Sequence, residues 1–233
     1  MITLFLLRHG ETVYNIQEIV QGWNDSPLTP LGLYQAKCTG YGLRDKVFIK
    51  AISGDSGRQV NTANEFMKEN KHPTEIIADK RFREMCFGKY EYGTYIEMLE
   101  PVYRKFNSLY KGHDGLYEYL DDIGIDLELY QRDETGKFED IEKTWMRISE
   151  ALKEICDKYK NGNILISTSS FAINTILINL FPDFKLNGLV SNASVTVISF
   201  DGTFQLLDYN NIEYRKEGEE HFSKSDEKQM INI

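Results

Sequence analysis

Ile2-Thr3-Leu4-Phe5-Leu6-Leu7-Arg8-His9-Gly10-Glu11-Thr12 begins as a largely apolar run and turns abruptly into a cation, an imidazole and a glycine. A short apolar segment bounded by polar residues predicts a buried parallel strand over Ile2–Leu7. Ligands of open α/β sheets bind beyond the carboxyl ends of the strands, so Arg8, His9 and Gly10 stand where a site is expected. There an imidazole can attack phosphorus, and a guanidinium can grip two phosphoryl oxygens in its planar fork. A glycine lets an anion approach the backbone. Read alone, the same five residues also suit an ordinary polar turn.

Working outward, Thr29-Pro30 supplies an N-cap and a first-turn proline for a helix through Leu33, Ala36, Lys37 and Tyr41. Phe48–Ser53 and Thr74–Ala78 read as strands. Between them Ser56–Asn70 reads as a helix whose amino end carries Arg58, and helix amino ends attract anions. Glu84–Glu100 leaves this alternation and is loop-rich. Phe138–Tyr159 repeats apolar residues at helical spacing. Asn163–Ser167 is a strand, Phe171–Leu180 a helix, and Ser194–Phe200 with Phe204–Tyr209 a hairpin around Asp201-Gly202. The order predicts an α/β domain over residues 1–212: three layers, a mostly parallel doubly wound sheet, and helices on both faces. An aromatic, acidic helical insertion at about 92–135 is expected as a cap over the site; a helical pair packed on the sheet edge is the alternative. The stretch 213–233 is charged and poor in apolar residues, and is expected to be a mobile polar tail.

The chain has 233 residues, 41% of them hydrophobic, enough for one sizeable core. A net charge of −9 argues against nucleic acid or an anionic membrane as partner. Any phosphate site must therefore be built by local arginines. Cys38, Cys86 and Cys156 are odd in number and share no metal-ligand or redox spacing, as expected of reduced thiols in the cytoplasm. The apolar start is too short for a signal peptide, and no run is long enough to span a bilayer. No metal and no cofactor are expected, and oligomeric state is not legible.

Further blocks follow the first motif in order: Asn15, Gln21-Gly22-Trp23, Asp25 to Gly32, Ser53 to Arg58 with Thr62-Ala63, and Arg83-Glu84-Met85-Cys86-Phe87-Gly88-Lys89-Tyr90-Glu91. Together they resemble the histidine phosphatase superfamily, which includes cofactor-dependent phosphoglycerate mutases and many small phosphomonoesterases. The resemblance implies His9 as a nucleophile that is transiently phosphorylated, Arg8 and Arg58 as holders of the phosphoryl group, and Glu84 as general acid. It implies Asn15, Gln21 and Gly22 as neighbours of the substrate phosphate. Phosphoryl transfer needs an in-line nucleophile and neutralised equatorial oxygens, which these residue types supply.

The resemblance departs from the family pattern at one catalytic position. A second histidine belongs after the later strand, where this chain reads Ser167-Thr168-Ser169-Ser170, with Thr168 at the histidine's place and within reach of the substrate. Gly54 replaces a usual serine, and Tyr92 a usual glycine. His72 and His221 read as surface residues, and His113 lies in the expected cap. Three functions stay open. The first is hydrolysis of a small phosphomonoester, weakened by the missing histidine. The second is a phospho-ligand-binding pseudo-enzyme, and the third a phosphoglycerate mutase.

Overall fold

The computed structural model describes residues 1–106, 129, 131–185 and 188–231. Six strands form one sheet: β1 (Ile2–Arg8), β2 (Phe48–Ser53), β3 (Ile76–Ala78), β4 (Gly162–Thr168), β5 (Val195–Phe200) and β6 (Phe204–Asn211), in the order β3-β2-β4-β1-β5-β6. The first four strands of that order are parallel, and β5 and β6 add an antiparallel pair at one edge. The expected mostly parallel α/β architecture is therefore present. β1 lies between β4 and β5, with Arg8 opposite Thr168 and Leu7 opposite Val195.

Alternation along β1 sorts its side chains to two cores, because successive residues of a strand point to opposite faces. Ile2, Leu4 and Leu6 join Ile148, Leu152 and Ile155 of α5 (Ile141–Lys158) and Ile173, Ile176 and Leu177 of α6 (Ser170–Leu180). Phe5 and Leu7 face Leu43, which follows α2 (Pro30–Gly42), and Phe66 and Met67 of α3 (Gly57–Glu69). A strand buried on both faces explains why β1 reads as a continuous apolar run. Thr12 caps the short α1 (Val13–Ile16), and Thr29 caps α2 as its sequence suggests, its hydroxyl accepting from Gly32 N at 2.9 Å.

A third apolar cluster lies beside the sheet. Val20, Met85 and Phe87 pack there with Met98 and Leu99 of α4 (Tyr95–Phe106), Leu129 and Phe138. α4 covers the start of the expected cap; residues 107–128 and 130, with His113, lie outside the described residues.

The tail expectation is corrected for residues 213–231, which form the helix α7 (Glu213–Ile231) against α2. Tyr214, Gly218, His221 and Phe222 fall at i, i+4, i+7 and i+8, one helical face that bulk composition conceals. Gly42 and Gly218 let the two backbones meet: a Cβ on Gly42 would lie 2.1 Å from the Tyr214 carbonyl oxygen, and one on Gly218 2.2 Å from that of Cys38. His221 stacks on Tyr41 at 4.0 Å and Lys37 Nζ sits 3.9 Å from the Phe222 ring, so His221 has a packing role. Among the described residues no helix is long and apolar enough to cross a membrane.

Candidate active site

β1 ends at Arg8, and the chain turns out of the sheet at His9 and Gly10. The turn is tied on both sides: His9 N donates to Thr168 O at 3.0 Å, and the His9 carbonyl accepts from Ala193 N at 3.2 Å and Asn192 Nδ2 at 3.1 Å. The His9 ring is 4% exposed and its Nδ1 lies 2.8 Å from the Gly10 carbonyl oxygen. A carbonyl only accepts, so Nδ1 carries the hydrogen and Nε2 holds a lone pair when the ring is neutral. Burial, reinforced by the charges of Arg58 and Arg8, drives the ring pKa well below that of an ordinary imidazole. The ring is therefore an unprotonated base at neutral pH.

Two guanidinium groups act on this ring. Arg8 donates through Nη1 to the Val190 carbonyl. Arg58 enters from the first turn of α3 and is fully buried. Its Nη1 donates to Asn24 O at 2.7 Å and Asp25 Oδ1 at 3.0 Å, and its Nη2 to Gly22 O at 2.7 Å. Both Nε–H groups, on Arg8 and on Arg58, are buried and meet no hydrogen-bond partner among the described residues. Burying such a donor unpaired is costly, about 1–3 kcal/mol or more for a charged group. An anion that accepted from these Nε–H groups would remove that cost.

Glu84 follows a short 3-10 turn at Lys80–Phe82 and is 4% exposed. Its Oε1 accepts from Met85 N and Ala172 N, both at 2.9 Å, and its Oε2 from Phe171 N at 3.1 Å. Burial raises its pKa against the opposing pull of those three N–H groups and of Arg58. Arg8 in turn feels burial as a lowering influence, with Tyr95 and Glu84 countering it. His9, Arg8, Arg58 and Glu84 thus share one electrostatic neighbourhood at the carboxyl edge of the sheet.

The remaining site residues are placed as follows. Asn15 exchanges hydrogen bonds with Thr12 at both 3.1 Å contacts and accepts from Asn192 Nδ2 at 3.2 Å. Gln21 is turned inward, its Oε1 accepting from Thr12 Oγ1 at 2.8 Å and its Nε2 donating to Ser26 Oγ at 3.1 Å. Gly22 contributes its carbonyl to Arg58, and a Cβ there would lie 2.3 Å from both Glu91 Oε1 and Met85 O. Gly10 also serves packing: its N–H donates to Thr62 Oγ1 at 3.0 Å, and a Cβ would meet Gly32 O at 2.3 Å. Gln21 and Gly22 therefore help to hold Arg58 through their carbonyls, while Gly10 packs the turn against Thr62 and Gly32.

Thr168 ends β4 fully buried, and its hydroxyl donates to Phe82 O at 2.7 Å. Gln59 Nε2 reaches the same carbonyl at 3.3 Å and Ser169 Oγ at 2.8 Å. Gly54 makes room for that amide, since a Cβ on it would lie 2.0 Å from Gln59 Oε1. Gly54 and Thr168 thus meet at one node, Gln59 with Phe82. Ser170 Oγ accepts from Val190 N at 2.9 Å.

Sequence reasoning missed three supports. Asn192 braces the His9 turn. Glu91 gathers the N–H groups of Trp23 at 2.8 Å and of Asn24 and Phe87 at 3.0 Å, with Gly22 N at 3.3 Å, and so fixes the loop whose carbonyls hold Arg58. Arg147 binds the backbone around Glu84. Each acts on main-chain atoms, which a single sequence does not advertise. Among the described residues no group of three or more His, Cys, Asp or Glu is placed to share a metal ion.

Comparison with known proteins gives the family and the fold. Residues 4–212 match the histidine phosphatase superfamily (branch 1). A probable phosphoglycerate mutase of Yersinia enterocolitica is 37% identical over 101 residues, 43% of this chain and 46% of that protein. The matched stretch thus spans under half the length of such curated relatives. A Bacillus anthracis phosphoglycerate mutase structure superposes with a TM-score of 0.82 at 30% identity, covering 94% of this chain and 96% of that one. An Entamoeba histolytica phosphoserine phosphatase, solved with 3-phosphoglyceric acid, gives 0.69 at 25% identity over 92% and 100%. The chain belongs to the histidine phosphatase superfamily.

Proposed function

We propose that this chain hydrolyses a small phosphomonoester through transient phosphorylation of His9. Arg8 and Arg58 hold the phosphoryl oxygens, and Glu84 gives its proton to the departing alcohol. One observation carries the reading: a neutral imidazole with its Nε2 lone pair available lies within the field of two buried guanidinium groups, each with an unpartnered Nε–H. Phosphoryl transfer needs little else from a protein than an aligned nucleophile and fixed positive charge. Asn15 frames the pocket, while Gln21 and Gly22 shape it through the backbone.

Thr168 stands where the family resemblance places a second histidine, and its hydroxyl is committed to Phe82. Loss of one preorganised donor to a phosphoryl group typically costs about 10²–10³ in rate, roughly 2.7–4 kcal/mol. That shortfall favours a second reading, a protein that binds phosphorylated ligands and turns over nothing. The mutase names belong to the relatives that carry them; phosphoryl shift within a sugar acid is a third reading.

Turnover of p-nitrophenyl phosphate separates these readings. Wild-type protein is expected to release phosphate and to acquire an acid-labile, base-stable phosphoryl label, and His9→Ala to lose both while melting normally. Vanadate binding without turnover supports the binder. Isomerisation of 3-phosphoglycerate without phosphate release supports the mutase.

A further inference from the structure

Arg147 belongs to none of the sequence motifs, and it lies on α5, more than sixty residues from the backbone it grips. Yet all five of its N–H donors are used. Nη1 donates to Arg81 O and Arg83 O, both at 2.8 Å, and Nη2 to Glu84 O at 2.7 Å and Glu139 Oε2 at 2.8 Å. Nε donates to Glu139 Oε1 at 3.0 Å. Glu139 closes the ring from the other side, because its Oε2 accepts from Cys86 N at 3.0 Å and its own N donates to Cys86 O at 2.8 Å. The two side chains are only 15% and 13% exposed, so solvent screens the pair little. The segment 81–86 is loop and 3-10 turn, with few backbone hydrogen bonds of its own. One planar, five-donor fork grips three of its carbonyls, a geometry that lysine does not reproduce.

This grip fixes the backbone of the residue with the proton to give. With Oε1 of Glu84 taken by two N–H groups and Oε2 by one, the remaining lone pair on Oε2 is the place from which a proton can leave. We propose that Arg147 is a positioning residue for Glu84, and that through it the site is fitted to esters of aliphatic alcohols, whose alkoxides do not leave unprotonated. The proposal rests on the phosphatase reading above. As the His9 Nε2–P bond forms, the P–O bond to the alcohol breaks, its electron pair passes to the oxygen, and the Glu84 proton joins that oxygen. Water then gives a proton to the Glu84 carboxylate and its oxygen to phosphorus, and the P–N electron pair returns to the ring. The net reaction is ester plus water to alcohol plus phosphate.

The test compares kcat/KM for p-nitrophenyl phosphate and β-glycerophosphate, since kcat/KM extends only to departure of the alcohol. Nitrophenolate leaves without a proton at neutral pH, whereas an alkoxide needs one. General-acid assistance is worth about 10²–10⁴-fold. Arg147→Lys, which keeps the charge, is expected to lose about 10²-fold or more on the alkyl ester and at most about three-fold on the aryl ester, the same split as Glu84→Gln. Glu139→Gln should show the split in milder form, and it decides the matter if Arg147→Lys does not fold. Equal losses on both esters, or no loss on either, overturn the proposal and leave Arg147 a structural brace. A wild-type protein that hydrolyses neither ester sinks the phosphatase reading and the proposal with it. Aryl turnover abolished by His9→Ala keeps the reading, so the two failures are distinguishable.

Discussion

β1 and β4 run side by side at the centre of the sheet and end level, Arg8 beside Thr168. Their ends are chemically opposite. The β1 end and its partner Arg58 leave two buried N–H donors unmatched, next to an imidazole with a lone pair to give. At the β4 end every hydroxyl is matched: Thr168 with Phe82 O, Ser169 with Gln59, Ser170 with Val190 N. The register brings both ends to the same edge, so backbone geometry does not explain the contrast. Binding capacity resides where polar groups are held fixed without partners. Stability resides where they are satisfied.

The contrast can be broken most severely at Arg58. Arg58→Ala removes one unmatched donor and strips the carbonyls of Gly22 and Asn24, at about 1–3 kcal/mol for each carbonyl left unpaired. Phosphoester turnover should fall by about 10³-fold or more, the scale on which a single arginine serves phosphoryl transfer. Retained vanadate affinity in a calorimeter would place the anion elsewhere. Next in size, Thr168→His gives the β4 end a donor of its own. The rate should rise by about 10²-fold, with the longer side chain lowering stability by about 1–3 kcal/mol through overpacking. An unchanged rate in a folded variant would mean that the ring stays directed at Phe82. Smallest is Thr168→Val, which deletes the hydroxyl while Gln59 still serves the Phe82 carbonyl. It should cost about 1 kcal/mol in denaturant titration and change kcat by less than about three-fold. A fall in rate beyond that would show the β4 hydroxyl acting on substrate.

Much of the architecture was readable because β1, β2 and β4 announce themselves by apolar runs and α2 by Thr29-Pro30. Arg8, His9 and Arg58 were readable for a related reason: each stands at or beside the end of a strand or the start of a helix, whereas Glu84 lies in a loop and was readable only through its sequence block. What stayed hidden was contact between backbones. Gly10, Gly22 and Gly54 are glycines because another chain segment lies within reach of a Cβ, and no local pattern reveals which one. α7 escaped because its binding face is four residues, two of them Gly218 and His221, in a segment otherwise dominated by charged side chains. Arg147 escaped because three of its five hydrogen bonds go to carbonyl oxygens, the part of the chain that sequence does not encode.

The central position of β1 also dictates a sequence of events at the ribosome. The strand that emerges first has its neighbours last: Leu7 must wait for Ser167 on one side and Val195 on the other. Translation at about 5–20 residues per second leaves on the order of 10–40 s between them. Throughout that interval one of the most apolar segments of the chain has no sheet to enter. Nascent β1 therefore stays unpaired until β4 and β5 are made, and slow codons placed before β4 would lengthen its exposure.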